Sequence, residues 1–388
     1  MIYLDLIYNF LIQFLILFFL VFYSFKFSKK NKLSLIIILI VIFIHIGFTY
    51  LNSYQSYGTN TDAPRYFRFA SEANSWFSLF GLSTTFIKFL IYPFIHFFKF
   101  NYTSLFVLFG SLSIYGYLLL YKILKSFKYS YKLNLFGFNL ITLILLLPSF
   151  HFWTSLVGKD SLVFVFSMIT LNRFLFLEKT KTNIIILFFY ILLLTFVRPY
   201  IGVFIFVSAI SVYVLNNLTV KKILIGILIT TIGSYISILI FKKLNIDVFS
   251  FLNDRIEWLS TYIERKDEGS FVDPTKLSIL EKMFAYMYRP LFFDAKGISQ
   301  ILISLENGIL FLMTLKLLLV FRWRNFKSSF AVKIFIIYCL VFVLIKSYLL
   351  YNFGISNRQK YMILPLLFYV LYYFNDEYWR EKSLKIKV

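Results

Sequence analysis

Cysteine, histidine and acidic residues are scarce in this chain, and each scarcity excludes a class of protein. Cys339 is the only cysteine in 388 residues, so the chain has neither an internal disulfide nor a metal site built on cysteine. The three histidines show no His-x-x-x-His spacing, and the sequence contains no Gly-x-Gly-x-x-Gly turn and no P-loop. These absences disfavour a zinc protease, a dinucleotide enzyme and an ATP-driven pump. We expect no metal and no cofactor.

Charge is also sparse, whereas apolar residues are abundant. Charged residues make up 15% of the chain and apolar residues 60%, while soluble proteins average about 25% charged. Many apolar runs approach or exceed the ~18 residues needed to cross a bilayer. The net charge of +22 comes from lysines spread between these runs, as membrane orientation requires, so we expect no nucleic-acid partner. The sequence predicts an all-α polytopic integral membrane protein, with one transmembrane helical domain over residues 1–388.

The basic residues predict the topology. The hydropathy predicts eleven spans, and every second loop between them is basic, beginning with Lys26, Lys29, Lys30 and Lys32. Since positive residues remain in the cytoplasm, the N-terminus is predicted outside and the C-terminus inside. The predicted spans are 3–25, 33–51, 103–121, 133–149, 161–177, 183–197, 201–216, 223–241, 299–320, 329–350 and 361–374.

Two outer loops are long enough to fold. In the first, residues 52–102, the apolar segment 86–100 is interrupted by Lys88 and Pro93. We favour a re-entrant or interfacial helix there, the alternative being a full span compensated elsewhere. The second, residues 242–298, holds equal numbers of acidic and basic residues. Its middle alternates apolar and charged residues at helical spacing, which predicts amphipathic helices over the membrane face.

Arginines in the predicted outer loops are the main functional candidates. Charged residues near membrane depth are costly, and a guanidinium binds phosphate bidentately without losing its charge. Arg198 and Arg289 each precede a proline, which fixes the bend that holds the side chain. If the loops converge, these arginines form a cationic pocket at headgroup level. The full set is Arg65, Arg68, Arg198, Arg289 and Arg358.

Other charged residues in the outer turns are also candidates. Asp62 follows a span in a polar turn, and its carboxylate could take a proton from an attacking sugar hydroxyl. It could equally cap the short helix that begins at Ala63-Pro64, and the two roles are compatible. Further candidates for substrate binding are Lys159, Asp160, Asp294, Glu306 and Lys360. Interfacial anchoring, or an internal ion pair such as Lys159 with Asp160, would also explain such residues.

Several short strings in these outer segments resemble bacterial surface-polysaccharide polymerases of the Wzy and EpsG type. The chain length, the number of predicted spans and the large late outer loop resemble that group as well, so the likeness covers most of the chain. The strings are Pro148–Ser155 running into Gly158–Asp160, Val197–Tyr200, Tyr288–Asp294 leading to Ser304–Asn307, and Asn357–Tyr361 with Pro365.

The resemblance implies a transferase of the bacterial cytoplasmic (inner) membrane that joins oligosaccharide repeat units carried on a polyprenyl diphosphate. Arg198, Arg289 and Arg358 would bind the diphosphate in that reading. The strings add His151, Trp153 and Asn307 to the substrate-binding candidates. Although Trp153 could stack on a sugar ring, tryptophan is also enriched at membrane interfaces. Membrane lipids and other membrane proteins of polysaccharide assembly are the further partners expected.

Two other functions stay open. A single-sugar transferase with a lipid-linked donor often carries an acidic residue in the first outer loop, where Asp62 and Glu72 lie in this chain. A transporter or flippase of a lipid-linked oligosaccharide usually has charges near the bilayer midplane and two related halves. In this sequence the charges cluster at the predicted outer mouth and no internal repeat is visible.

Overall fold

The computed structural model describes residues 2–176, 180–215, 272–273, 277–295, 297–350 and 352–386. The predicted span 223–241 and most of the predicted outer loop 242–298 lie outside these residues. The described part is almost entirely helical. Its one sheet is a two-stranded antiparallel hairpin, β1 (Asn134–Leu135) and β2 (Phe138–Asn139). The all-α fold class predicted from the sequence is therefore confirmed for the described residues.

Sixteen α-helices lie in the described residues. Three-residue 3-10 turns at Phe77–Leu79 and Ser130–Lys132 separate some of them. The helices are α1 (Ile2–Asn31), α2 (Leu35–Ser56), α3 (Asp62–Ser71), α4 (Thr84–His96), α5 (Tyr102–Lys125), α6 (Leu140–Leu145), α7 (Pro148–Thr154), α8 (Lys159–Phe176), α9 (Lys181–Val197), α10 (Pro199–Leu215), α11 (Ile279–Tyr288), α12 (Ile298–Val320), α13 (Trp323–Ser328), α14 (Phe330–Tyr348), α15 (Phe353–Lys360) and α16 (Leu364–Ile386).

Five of these helices are long and apolar enough to cross a membrane. They fall on α1, α2, α5, α12 and α14, and the mean hydropathy of their most apolar windows lies between 1.7 and 2.4. Each coincides with a predicted span. Helices α9 and α10 are apolar but have only 17 residues each. Helix α4 has 13 residues, roughly 20 Å, which is shorter than the ~30 Å bilayer core.

The predicted span 133–149 differs from the structure. Its first half is the hairpin β1–β2, turning at Phe136 and Gly137, which both have positive φ. The Asn139 side chain then accepts the Ile141 N–H and starts α6, which ends at Leu145. A new helix starts at Pro148, since a proline at the first helical position has no N–H to satisfy. One predicted helix is thus a hairpin followed by two short helices.

The described residues fall into two compact units. The first comprises Met1–Val203, Thr314–Asn325 and Leu364–Val388, and the second comprises Phe204–Met313 and Phe326–Ile363.

Helix α5 forms the centre of the first unit, where it contacts α1, α2 and α8. Two glycines allow these close approaches. A Cβ on Gly110 would lie 2.4 Å from Thr49 Oγ1 on α2, and a Cβ on Gly116 would lie 2.7 Å from the Phe164 ring on α8. The Phe164 ring is itself held by Tyr117 and Phe150, at centroid distances of 4.9 and 4.8 Å.

Gly116→Ala should destabilise the protein by about 1–3 kcal/mol, because the new methyl group overpacks a ring that cannot move aside. Gly47→Ala is the matched control, since a Cβ at Gly47 meets nothing within 4 Å and alanine favours the helix. A thiol-reactive dye can follow unfolding, because the single cysteine, Cys339, is buried. Equal melting temperatures for the two variants would contradict this packing.

The loop after α5 is tied to α16. Asp376 is buried, and its Oδ1 accepts the Tyr129 N–H at 2.7 Å. Asn375 Nδ2 donates to the Tyr129 carbonyl at 3.3 Å, and the Tyr129 hydroxyl donates to Ser383 at 3.0 Å. Both polar groups of the Tyr129 backbone are therefore bound by neighbouring side chains of α16.

The second unit is organised around α11, which packs against α14 and α15. A capping box starts this helix: the Ser278 side chain accepts the Glu281 N–H, and the Glu281 carboxylate accepts the Ser278 N–H. Tyr286 on α11 is fully buried, and its ring lies 6.5 Å from that of Phe342 on α14. This core fixes the end of α11, where the Arg289-Pro290 string begins.

Candidate functional site

A buried polar network joins α12 and α15 within the second unit. Asn357 and Lys360 are three residues apart on α15 and therefore lie on one face of the helix. Lys360 Nζ donates to Asn357 Oδ1 at 2.6 Å and also to Asn307 Oδ1 on α12. The Tyr361 hydroxyl donates to Glu306 Oε2 at 2.8 Å. The Lys360 side chain is 0% exposed, so two amide oxygens take the place of its water shell.

Burial changes the protonation of Lys360. Removal of the ammonium group from water lowers the pKa of Lys360 to about 7, although the negative charge of Glu306 opposes this shift. A lysine with this pKa exchanges its proton near neutral pH. Glu306, whose charge acts on Lys360, is itself buried, at 4% exposure.

Arg289 and Asp294 form a second part of the same network. Arg289 donates to the Asp294 carboxylate through Nε, at 2.9 Å, and through NH2, and the Leu291 N–H donates to Asp294 Oδ2 at 2.9 Å. Burial alone would raise the pKa of Asp294, but the hydrogen bonds from Arg289 and Leu291 outweigh it and the pKa is lowered. The guanidinium lies 5.0 Å from the centre of the Phe353 ring. Arg289 is thus held in a fixed place.

Asn307 connects the two parts. Its Nδ2 donates to the Pro290 carbonyl at 2.8 Å, while its Oδ1 accepts from Lys360. The α15 helix is itself fixed at its start, where the Asn352 side chain accepts the N–H groups of Gly354 and Ile355. Arg358 lies on α15 and is half-buried. The network therefore holds Lys360 against amide oxygens and Arg289 against a carboxylate, which is an arrangement that can bind an anion or move a proton.

A separate ion pair lies in the first unit. Arg198 NH2 donates to Asp160 Oδ1 at 2.5 Å, and the side chains are only 11% and 6% exposed. Arg198 NH1 donates to the Tyr200 hydroxyl at 3.0 Å. Lys159 donates to Thr84 Oγ1 at 2.9 Å, which ties the start of α8 to α4. Asp160 is thus a partner of Arg198, and the predicted diphosphate-binding arginine already has a counter-ion.

The residues predicted from the first outer loop lie on α3. Asp62, Arg65 and Arg68 are all exposed. The helix starts at Asp62, with Thr61 at the N-cap position. Asp62 therefore lies in the first turn, where its negative charge interacts favourably with the helix dipole. Tyr66 is buried, and its ring approaches the place of a Cβ on Gly158 to 3.4 Å. Helix α3 therefore packs beside the turn that leads to Lys159 and Asp160.

His151 is in the core of the first unit. Its Nε2 lies 2.8 Å from the Leu145 carbonyl, so this nitrogen donates, and its Nδ1 lies 3.0 Å from Nδ1 of His45. The Tyr117 ring stacks on His151 at 4.6 Å. Both ring nitrogens of His151 are thus engaged inside the protein, and substrate binding by His151 stays a prediction. The neighbouring Trp153 is half-buried.

Sequence reasoning missed several members of these groups. It did not single out His45 as a partner of His151, and it did not assign roles to Asn357 and Tyr361, although both stand in a string it quoted. The spacing of Asn357 and Lys360 was the available signal. Among the described residues, no three His, Cys, Asp or Glu side chains are grouped to hold a metal ion.

Comparison of the chain with protein-family models, with curated proteins and with solved structures gives no match.

Proposed function

We propose that this chain is an integral-membrane glycosyltransferase that joins oligosaccharide repeat units carried on polyprenyl diphosphate. In this proposal the chain has eleven spans, an outer N-terminus and a cytoplasmic C-terminus, and it works at the outer face of a bacterial cytoplasmic membrane. The donor and acceptor are both lipid-linked, so the reaction takes place beside the bilayer and needs no cytoplasmic domain.

The network in the second unit is the observation that carries the proposal. Three segments resemble surface-polysaccharide polymerases: 288–294, 304–307 and 357–361. The third segment is distant in the chain, since Lys360 follows Asn307 by 53 positions, yet Lys360 binds Asn307 and Tyr361 binds Glu306. Asn307 in turn binds Pro290 of the first segment. Segments that merely anchor loops at a membrane surface need no such buried, mutually bonded network. The three segments that resemble those polymerases are thus also joined to one another by hydrogen bonds.

The proposed reaction requires charge stabilisation at one bond. A hydroxyl oxygen of the acceptor sugar attacks the anomeric carbon of the donor sugar, and the bond from that carbon to the diphosphate oxygen breaks. The hydroxyl proton leaves to a carboxylate base. Arg289 and Arg358 would stabilise the negative charge on the departing diphosphate. Asp294 would keep Arg289 in place, and the Lys360 network would position α15 and with it Arg358.

Purified protein supplied with lipid-linked repeat units should produce a ladder of products. Arg289→Lys and Arg358→Lys keep the charge but lose the planar bidentate fork, so each should lower the rate by about tenfold or more. Arg324→Lys is the control, because Arg324 is 81% exposed in its pair with Glu381. Full activity of both variants would reject these roles. A single added sugar would identify a single-sugar transferase.

One observation favours a transporter as the second candidate. Fully buried Lys360 lies beside buried Glu306, and ionisable pairs inside a helical membrane protein are typical of ion and substrate pathways. Vesicles that contain the protein and labelled lipid-linked oligosaccharide separate the two functions. Movement of the label across the bilayer without chain growth would support transport and contradict the transferase.

A further inference from the structure

A cavity in the first unit is lined by three lysines. It has a volume of about 280 Å³, close to the roughly 300 Å³ at which small-molecule sites begin. It lies where the ends of α1, α5 and α8 meet. The lining residues come from three different helices and the lysines from two of them, α1 and α5, so the cavity depends on the tertiary fold. The lining residues are Tyr23, Lys26, Phe27, Lys30, Asn31, Tyr115, Leu119, Lys122 and Asn172.

The charge of this cavity is one-sided. Lys26, Lys30 and Lys122 line it, and Lys30 and Arg173 repel Lys122. Among the described residues that line it, none is Asp or Glu. Like charges held together cost free energy, and a bound anion removes that cost. The ion pairs of the catalytic candidates, Arg198 with Asp160 and Arg289 with Asp294, show the opposite arrangement.

Aromatic residues line the cavity together with the lysines. Lys122 Nζ donates to Asn172 Oδ1 at 3.0 Å and lies 4.9 Å from the Phe176 ring centre. Tyr23 and Tyr115 meet edge to face at 5.8 Å and form one wall. Lys26 and Lys30 are exposed and keep their ammonium groups available. The cavity thus offers one half-buried lysine that is held by Asn172 and two exposed lysines.

The surroundings point to a lipid as the carrier of the anion. Only 6% of the apolar window of α1 is buried, and its aromatic side chains Phe18 and Phe22 are 55% and 48% exposed. In a membrane this surface contacts hydrocarbon, and it leads along α1 to Lys26 and Lys30. The phosphate group of a lipid would fill the cavity, and its acyl chains would cover the exposed face of α1. Basic pockets between membrane helices bind anionic headgroups by this chemistry.

We propose that the cavity between the ends of α1, α5 and α8 is a binding site for the phosphate group of an anionic membrane lipid. The lysines bind the phosphate, and the exposed apolar face of α1 carries an acyl chain. The site uses none of the residues assigned to glycosyl transfer, so it stands independently of that proposal.

Binding can be measured on the full chain in a neutral detergent by native mass spectrometry. The probes are phosphatidylglycerol, phosphatidylcholine and inorganic phosphate. The test variant is Lys30→Gln with Lys122→Gln. The control is Lys29→Gln with Lys125→Gln, which removes the same charge from the ends of the same helices but from outside the cavity. Size-exclusion chromatography and melting temperature establish that each variant is folded. If the double variant does not fold, Lys30→Gln alone is the test variant.

Phosphatidylglycerol should bind the original chain and the control, and the test variant should lose about tenfold or more in affinity. Salt should weaken this binding. Phosphatidylcholine should bind weakly to all three, because its headgroup has no net charge. Inorganic phosphate that binds as tightly as phosphatidylglycerol would overturn the lipid as the carrier. Equal binding of phosphatidylglycerol to the test variant and the control would overturn the site itself.

Discussion

The protein should become more stable as the pH rises from about 7 to 10.5, and Lys360→Met should remove most of that rise. The folded state lowers the pKa of Lys360 to about 7, while the unfolded chain keeps the ordinary value of 10.5. Between these values the unfolded state binds the extra proton, so stability increases with pH. The expected gain is a few kcal/mol, because one pKa unit corresponds to about 1.4 kcal/mol.

The slope of this pH profile is the diagnostic quantity. Lys360→Met also leaves Asn307 and Asn357 without their donor, at a cost of about 1–3 kcal/mol for each buried acceptor, so the level of stability changes as well. Melting temperatures from tryptophan fluorescence in detergent, taken across the pH range, give the slope. Lys125→Met is the control, because Lys125 is exposed. Parallel profiles for the original chain and Lys360→Met would show that Lys360 stays charged in the fold.

Asp160→Asn should destabilise the protein by about 3–5 kcal/mol, because it leaves the buried Arg198 charge without its counter-ion. Removing both charges, with Asp160→Asn and Arg198→Gln together, should recover a large part of that loss. The thiol-reactive dye on Cys339 reports the unfolding of each variant.

Glu381→Gln provides the matched comparison for this pair. It breaks the ion pair between Arg324 and Glu381, whose side chains are 81% and 33% exposed, and exposed pairs contribute about 0–1 kcal/mol. Burial is then the main difference between the two experiments. If Asp160→Asn proves as mild as Glu381→Gln, Arg198 is hydrated in solution and the buried pair is not a stability element.

Long helices could be predicted from the sequence because hydropathy is a local property. The apolar runs that became α1, α2, α5, α12 and α14 all exceed the length that a membrane span needs. The hairpin at β1–β2 could not be predicted in this way. Its turn at Phe136-Gly137 sits inside an apolar run, so the signal for a span hid the signal for a turn. Pro148 is visible in the sequence as a helix start, but the predicted span 133–149 included it as part of its end.

The candidate site was predicted as a set of residues and not as a set of contacts. Charge and position selected Arg289, Asp294, Glu306 and Lys360, and all four have hydrogen bonds in the network. Their pairing depends on how α12 and α15 pack, which no local pattern encodes. Lysines 26, 30 and 122 illustrate the reverse case. The sequence explained them fully as topology signals, and only the fold brings them to one cavity.

The bond between Tyr129 and Asp376 has a consequence for biogenesis. The two residues are 247 positions apart, and a ribosome adds about 5–20 residues per second, so Asp376 is synthesised roughly 10–50 s after Tyr129. Throughout that interval the Tyr129 N–H must be satisfied by water, whereas the Tyr129 carbonyl can already accept the Lys132 N–H. A chain truncated before α16 would therefore lack the acceptor of the Tyr129 N–H, and its loop after α5 could not reach its final state.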